Sequence, residues 1–157
     1  VLHGEGKKRI EFEKKARENE LPNVIFSSQV PDKSAVADLL AASDVGMTIY
    51  KNLPVLHTCS PNKLFDTFAA GRAAIVNTPG WLQSLVEDYK IGFYVDPENP
   101  NDLVERIEFL RDNPDIVKEM GRNARRLATS NFDREKLANQ LIEVLERASS
   151  EKIRTNN

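Results

Sequence analysis

The amino-acid sequence predicts an α/β fold with an open, doubly wound parallel sheet that carries helices on both faces. Three observations lead to this class: a length of 157 residues, a composition of 40% hydrophobic and 29% charged residues, and short apolar runs that alternate with longer amphipathic stretches. The alternation is typical of βα units, and the length suits one compact domain. We expect that domain over residues 1–148 and a polar C-terminal tail over residues 149–157.

The periodicity places five strands and seven helices along the chain. The predicted strands are residues 1–4, 23–27, 44–50, 73–77 and 92–95. The predicted helices are residues 8–19, 34–42, 61–70, 81–88, 101–111, 115–130 and 133–147. Ligands of such sheets bind outside the carboxyl ends of the strands. That rule selects the loops at residues 4–8, 28–33, 51–62 and 77–81.

Composition and charge narrow the function classes. A net charge of −2 argues against a nucleic-acid partner, which requires a basic surface. No apolar run approaches the roughly 20 residues that span a bilayer, and the single cysteine, Cys59, fits a reducing compartment, so we expect a cytoplasmic location. Cys59 has no histidine or cysteine partner at metal-binding spacing. We therefore expect no metal site. No cofactor is expected either.

The segment at residues 59–71 carries the functional prediction. Ser60 is a favourable N-cap, and Pro61 suits the first helical position, where its missing N–H has no partner to lose. The helix then starts with the free N–H groups of Asn62 and Lys63 at the edge where ligands bind. These amides, the positive end of the helix dipole and the Lys63 ammonium form a site suited to phosphate.

A carboxylate lies one turn further along the same predicted helix. Asp66 follows Asn62 by four residues and Lys63 by three, so the three side chains share one face. A carboxylate beside a phosphate site can accept hydrogen bonds from neighbouring ribose hydroxyls, as acidic residues do in dinucleotide-binding folds. The alternative is an ordinary surface ion pair between Lys63 and Asp66, which contributes little. Gly71 is well placed to end this helix as a C-cap.

Several short motifs follow one another over nearly the whole chain. They are a Gly-x-Gly at residues 4–6, LPNVIF at 21–26, LLAASDV at 39–45, SPNKLFDTFAAG at 60–71, AIV at 74–76 and GFYVD at 92–96. In this order they resemble the C-terminal domain of GT-B retaining glycosyltransferases, in particular family 4. The resemblance implies a Rossmann-like fold, the C-terminal half of GT-B, that binds a nucleotide-diphosphate sugar.

The resemblance also implies roles for the helix start. It assigns the diphosphate contacts to Ser60, Pro61, Asn62 and Lys63. The ribose contact falls on Asp66, which occupies the second acidic position of the family's Glu-x7-Glu motif, with a shorter side chain. On these grounds we expect the donor to be held where the sequence alone predicts a phosphate site.

The resemblance also implies contacts to the donor sugar, the base and the rest of the nucleotide. The first acidic position of the Glu-x7-Glu motif, near the donor sugar, falls on Thr58, which departs from the family pattern. The base is expected near Val30, and Gly4 and Gly6 let the chain pass close to the nucleotide. The resemblance assigns no catalytic residue.

The resemblance implies that other parts of the enzyme lie outside this chain. The sequence begins within a strand and without methionine, so we expect a fragment that lacks the N-terminal acceptor domain and a basic Arg and Lys pair beside the diphosphate. We expect the isolated chain to bind donor weakly and to be inactive. In the full-length enzyme, whose implied role is cell-surface polysaccharide or glycan assembly, peripheral contact with a membrane is a further expectation.

Two rival classes of protein are weighed against this family. A Rossmann dehydrogenase needs a third glycine at position 9, which is Arg9. A non-catalytic flavodoxin-like binding or signalling module stays open as the alternative function.

The run Lys7, Lys8 and Arg9 is interpreted as a solvated helix start, with anionic lipid as the alternative contact. His57 is interpreted as a solvated loop side chain, with approach to the donor as the alternative.

Overall fold

The computed structural model describes residues 1–28 and 32–155. In these residues the chain forms five strands, seven α-helices and one 3₁₀ turn. The strands are β1 (Leu2–His3), β2 (Phe26–Ser27), β3 (Val45–Thr48), β4 (Ala73–Val76) and β5 (Gly92–Tyr94). The helices are α1 (Arg9–Glu18), α2 (Lys33–Ala41), α3 (Asn62–Ala69), α4 (Trp81–Asp88), α5 (Pro100–Asp112), α6 (Pro114–Asn131) and α7 (Arg134–Thr155). The 3₁₀ turn is Pro54–Leu56.

The α/β class and the order of elements are as the sequence predicts, and every described strand pair is parallel. The pairing differs in one respect. Among the described residues, hydrogen bonds join the strands into a two-stranded sheet, β1-β2, and a three-stranded sheet, β3-β4-β5. A single five-stranded sheet was expected. Strands of only two residues, with Leu2 47% exposed, offer few ladder hydrogen bonds and little buried surface to extend the pairing.

The last helix is longer than the sequence predicts. Helix α7 continues to Thr155, through most of the segment expected to be a polar tail. Its charged residues are good helix formers, and the Ser150 hydroxyl donates a hydrogen bond of 2.9 Å to the carbonyl oxygen of Glu146. Polarity alone therefore did not mark the end of this helix. No helix in the described part of the chain is both long and apolar enough to cross a bilayer.

The chain divides into two compact units. We call Val1–Leu39 the N-terminal unit and Leu40–Asn157 the C-terminal unit. In the N-terminal unit, β1 and β2 pair with Leu2 opposite Phe26, and no residue whose exposure is described there is buried. The buried apolar residues of the described chain all belong to the C-terminal unit.

The centre of the C-terminal unit is β4, whose four residues are all buried. Because β4 lies between β3 and β5 and is covered on both sides, it is an uninterrupted apolar run rather than an alternating one. Ala74 and Val76 share a core cluster with residues of α3, α4 and α6. Ala73 and Ile75, which point the opposite way, share a second cluster with residues of α5 and α6.

Two glycines set the position of α3. A Cβ on Gly46 of β3 would lie 2.5 Å from side-chain atoms of Thr67, so the helix approaches the strand closely only because that atom is missing. At the other end, Gly71 has a φ of +67° and follows the last turn as the expected C-cap glycine. Arg125 of α6 donates a hydrogen bond to the carbonyl oxygen of Ala69. These contacts fix the helix that starts at the carboxyl edge of the sheet.

Candidate functional site

Helix α3 begins one residue later than the sequence predicts. Its first residue is Asn62, and Pro61 occupies the N-cap position with extended backbone angles, φ −79° and ψ 120°. The interpretation of Ser60 as N-cap and Pro61 as first helical residue is therefore wrong. The physical reason is that the Pro61 backbone is extended and not helical, while its carbonyl oxygen accepts the Leu64 N–H at 3.0 Å, as an N-cap carbonyl does. No side chain caps the helix, and Ser60 is exposed before it.

The start of α3 presents two unused amide donors. Among the described residues, the N–H groups of Asn62 and Lys63 have no hydrogen-bond acceptor, whereas the N–H of Leu64 returns to Pro61. Unpaired amides at a helix start carry the positive end of the helix dipole. A negatively charged oxygen placed here would meet two donors on one rigid element.

The ammonium group of Lys63 lies over an aromatic ring. Its Nζ is 4.4 Å from the centroid of the Tyr50 ring. Although Lys63 is exposed as a whole residue, partial burial lowers the pKa of its ammonium, and nearby Cys59 opposes that change. No described carboxylate pairs with Lys63. The alternative of an ordinary ion pair with Asp66 is therefore wrong, and the positive charge is not neutralised.

Tyr50 is held by a buried asparagine that the sequence analysis did not single out. The Asn77 side chain accepts the Tyr50 N–H at 2.8 Å and donates to the Tyr50 carbonyl oxygen, also at 2.8 Å. Asn77 follows β4 and is 7% exposed. A polar residue directly after an uninterrupted apolar strand was the available signal. The next residue, Thr78, is 2% exposed, and its hydroxyl has no partner among the described residues.

The loop before α3 is tied down at two places. The Trp81 indole N–H donates to the Cys59 carbonyl oxygen at 3.1 Å. His57 Nε2 lies 3.2 Å from Asn52 Oδ1, and the Asn52 amide donates to Glu98 at 2.8 Å. His57 is partly exposed in this loop, and its ring nitrogen contacts an exposed asparagine side chain.

The remaining predicted residues of the C-terminal unit are exposed. Thr58 lies in the anchored loop, and Asp66 lies one turn into α3 on its solvent side. The Asp66 carboxylate has no hydrogen-bond or ion-pair partner in the described part of the chain. Both of its oxygens are therefore open to a ligand at the face where Asn62 and Lys63 begin the helix.

The predicted glycines lie in the N-terminal unit. Gly4 has a φ of +121°, which L side chains rarely adopt, and Gly6 is exposed. Arg9 donates to the carbonyl oxygens of Gly4 at 2.9 Å and Ser27 at 3.0 Å. Arg9 is therefore a structural anchor of this loop, and its interpretation as part of a solvated run is wrong. Val30, the predicted base contact, lies outside the described residues.

Comparisons with known proteins show what the chain as a whole is similar to. A family model described as "Glycosyl transferases group 1" matches residues 1–127. Spore coat protein SA of Bacillus subtilis (strain 168) is 32% identical over 84 residues, covering 53% of this chain and 22% of that protein. TuaH of the same organism, whose name provisionally describes a teichuronic acid biosynthesis glycosyltransferase, is 30% identical over 109 residues, covering 68% of this chain and 27% of that protein.

A solved structure shows the same fold. Sucrose-phosphate synthase from Thermosynechococcus elongatus superimposes with a TM-score of 0.74 at 23% identity, over 92% of this chain and 35% of that one. This likeness supports the Rossmann-like arrangement expected for a GT-B half. The chain spans only about a quarter of the length of the two curated relatives, 22% and 27%.

Proposed function

This chain belongs to the glycosyl transferases group 1 family, and we propose that it binds the nucleotide-diphosphate sugar of a retaining glycosyltransferase. One observation carries the proposal. The described start of α3 combines two unpaired amides, at Asn62 and Lys63, with an ammonium that no described carboxylate neutralises and with the free carboxylate of Asp66 one turn on.

The diphosphate is proposed to lie against the first turn of α3. Two amide donors on a rigid helix need no rearrangement to meet phosphate oxygens, and the helix dipole adds to their attraction. The Lys63 ammonium supplies a full charge beside them. Ser60 and Pro61 form the approach to this turn, where the exposed Ser60 has room for a ligand oxygen.

The ribose is proposed to contact Asp66. Its two oxygens can accept hydrogen bonds from both ribose hydroxyls, and bonds to an ionised group are about twice as strong as neutral ones. Thr58, in the loop anchored by Trp81, is proposed to lie near the donor sugar. In the N-terminal unit, the proposed nucleotide contacts are Gly4 and Gly6, and Val30 keeps its assignment to the base as a prediction.

The name of one relative supports a proposal for the biological setting. The name of TuaH refers to teichuronic acid biosynthesis, which supports a role in cell-surface polysaccharide assembly. Since the chain spans only about a quarter of the curated relatives, 22% and 27%, we propose that the acceptor is bound by residues outside these 157, in a cytoplasmic enzyme that contacts the membrane peripherally. The isolated chain is expected to bind donor without transferring sugar. The family match favours this function over a signalling module.

The proposal is tested with a panel of ligands and two variants. The melting temperature of the chain is measured with UDP, GDP, their sugars and inorganic pyrophosphate, since a ligand that binds the folded state raises it. Lys63→Ala is expected to weaken binding of every diphosphate by about tenfold. Asp66→Ala is expected to weaken the binding of the nucleotides by a similar factor. It should leave the binding of pyrophosphate unchanged, because pyrophosphate has no ribose.

Asp88→Ala is the matched control, because Asp88 is an exposed aspartate on another helix of the same unit. It should respond to every ligand as the wild type does. A panel in which no diphosphate raises the melting temperature of the wild type would refute the proposal. If Asp66→Ala changed the binding of UDP and of pyrophosphate equally, Asp66 would not be the residue that contacts the ribose.

A further inference from the structure

We propose that Tyr50 is a positioning residue, whose ring, carried on a backbone that Asn77 fixes, holds the Lys63 ammonium at the start of α3 ready for a diphosphate. The inference rests on the proposed function and extends it to two residues that no sequence motif marked. It concerns the orientation of a charge, and Tyr50 itself is not expected to touch the phosphate.

The Lys63 ammonium is in contact with the Tyr50 ring. Lys63 Nζ lies 4.4 Å from the Tyr50 ring centroid, well within the distance at which an ammonium is attracted to the negative face of an aromatic ring. A lysine side chain has four flexible bonds and loses much rotamer freedom when it is held in one place. A contact made before the ligand arrives reduces the entropy that binding must remove.

The partner of the Lys63 ammonium is an aromatic ring and not a carboxylate. A carboxylate would hold the ammonium equally well, but it would cancel the charge and occupy its N–H donors. An aromatic ring attracts the cation through its quadrupole and accepts no directed N–H···O bond. The three N–H groups of Lys63 therefore stay available for phosphate oxygens. The only carboxylate on the same face of α3, Asp66, makes no ion pair with it in the described structure.

Asn77 holds the backbone that carries the Tyr50 ring. Tyr50 lies two residues beyond the end of β3, where the sheet ladder no longer fixes the backbone. The Asn77 amide replaces the ladder there with a pair of hydrogen bonds, both 2.8 Å, to the N–H and carbonyl oxygen of Tyr50. Asn77 is itself buried at the end of the most buried strand. The ring is thus carried by a backbone segment that is fixed on both of its polar groups.

The contact is tested by NMR on the 157-residue chain without ligand. A methylene group held over a ring resonates at unusually high field. The Lys63 ε-methylene should show this shift in the wild type and in Tyr50→Phe, which keeps the ring. It should lose the shift in Tyr50→Leu. An ordinary Lys63 resonance in the wild type, or an unchanged one in Tyr50→Leu, would overturn the inference.

The positioning role is tested with inorganic pyrophosphate as the probe. Tyr50→Leu should weaken pyrophosphate binding about two- to fivefold, the range expected for an exposed cation–π contact, and Tyr50→Phe should bind as the wild type does. In a Lys63→Ala background, Tyr50→Leu should have no further effect, because the residue acts through Lys63. Tyr89→Leu, at an exposed tyrosine that follows α4, is the matched control.

The outcomes separate the two proposals. If Lys63→Ala weakens pyrophosphate binding but Tyr50→Leu does not, the positioning role is refuted and the diphosphate site stands. If Tyr50→Leu acts equally in the wild-type and Lys63→Ala backgrounds, its effect is a general structural one and the role is again refuted. If the wild type does not bind pyrophosphate, the diphosphate site falls and the positioning role falls with it.

Discussion

The N-terminal and C-terminal units are held together in different ways. In the N-terminal unit no residue of described exposure is buried, and its first helix, α1, carries several charged pairs. In the C-terminal unit, β4 and the inner faces of α3, α4 and α6 form an apolar core. The proposed phosphate site therefore lies at the start of a helix that packs into the apolar core of the C-terminal unit.

The described charged pairs of the N-terminal unit are Lys8–Glu11, Arg9–Glu5, Arg9–Glu13, Lys14–Glu18 and Lys15–Glu11. The three pairs that join a lysine to a glutamate are exposed and of the weak kind. Lys15 and Lys8 hold the pKa of Glu11 below its usual value, but such exposed pairs are screened by salt and contribute little to stability. Arg9 differs, since its side chain is 18% exposed and also bonds two backbone carbonyl oxygens.

Helix α3 shows what the core of the C-terminal unit makes possible. Its buried face carries Leu64 and Phe68, both with no exposure. Its exposed face carries Asn62, Lys63 and Asp66. Burial of the first set fixes the position of the second, because the side chains of a helix move with its axis. A binding face on a rigid element is more accurately placed than one on a loop.

The largest expected effect compares apolar residues of the two units. Leu64→Ala should lower the free energy of unfolding by about 2–5 kcal/mol, because it leaves a cavity in the core. Ile10→Ala, at a residue of α1 that is 79% exposed, should change it by no more than about 0.5 kcal/mol. Urea unfolding followed by circular dichroism measures both. Similar losses for the two variants would break the contrast between the units.

A smaller effect is expected from glycines of the two units. Gly46→Ala places a Cβ 2.5 Å from Thr67, and we expect a loss of about 1–3 kcal/mol from overpacking together with weaker pyrophosphate binding as α3 moves. Adding Thr67→Ala should recover part of both. Gly6→Ala, whose Cβ would meet nothing within 4 Å, is the control for stability alone and should leave the free energy of unfolding nearly unchanged. Thermal unfolding and a pyrophosphate titration measure these outcomes, and a Gly46→Ala variant that binds normally would contradict this account of α3.

The smallest effect concerns the charges of the N-terminal unit. Arg9→Ala should destabilise the β1-β2 pair by about 1–2 kcal/mol, because it removes charge-assisted bonds to two carbonyl oxygens. Lys14→Ala, which removes one exposed pair, should cost less than about 0.5 kcal/mol. Hydrogen exchange of the Gly4 N–H, which donates to the Ser27 carbonyl oxygen, measures the difference. Equal exchange rates in the two variants would mean that Arg9 is no more than a surface charge.

Much of the fold could be predicted because its signals are local. The apolar run of β4, the amphipathic pattern of α3 and the glycine that ends α3 each depend on residues a few positions apart. The two free amides at Asn62 and Lys63 follow from the same reasoning. The helix start was misplaced by one residue because Ser60 and Pro61 both suit adjacent positions of a helix start, and only the backbone angles of Pro61 decide between them.

The sequence by itself determined the order of elements, the class of fold and the face of α3 that meets solvent. The tertiary structure decided which side chains meet. Lys63 lies over Tyr50, and Asn77 fixes a backbone segment 27 residues away. Arg9 anchors a loop, a role that its position after Lys7 and Lys8 in the sequence did not indicate. The physical reason is that periodicity records only whether a residue faces the core or the solvent. The partner of a polar side chain depends on how strands and helices distant in sequence are packed together.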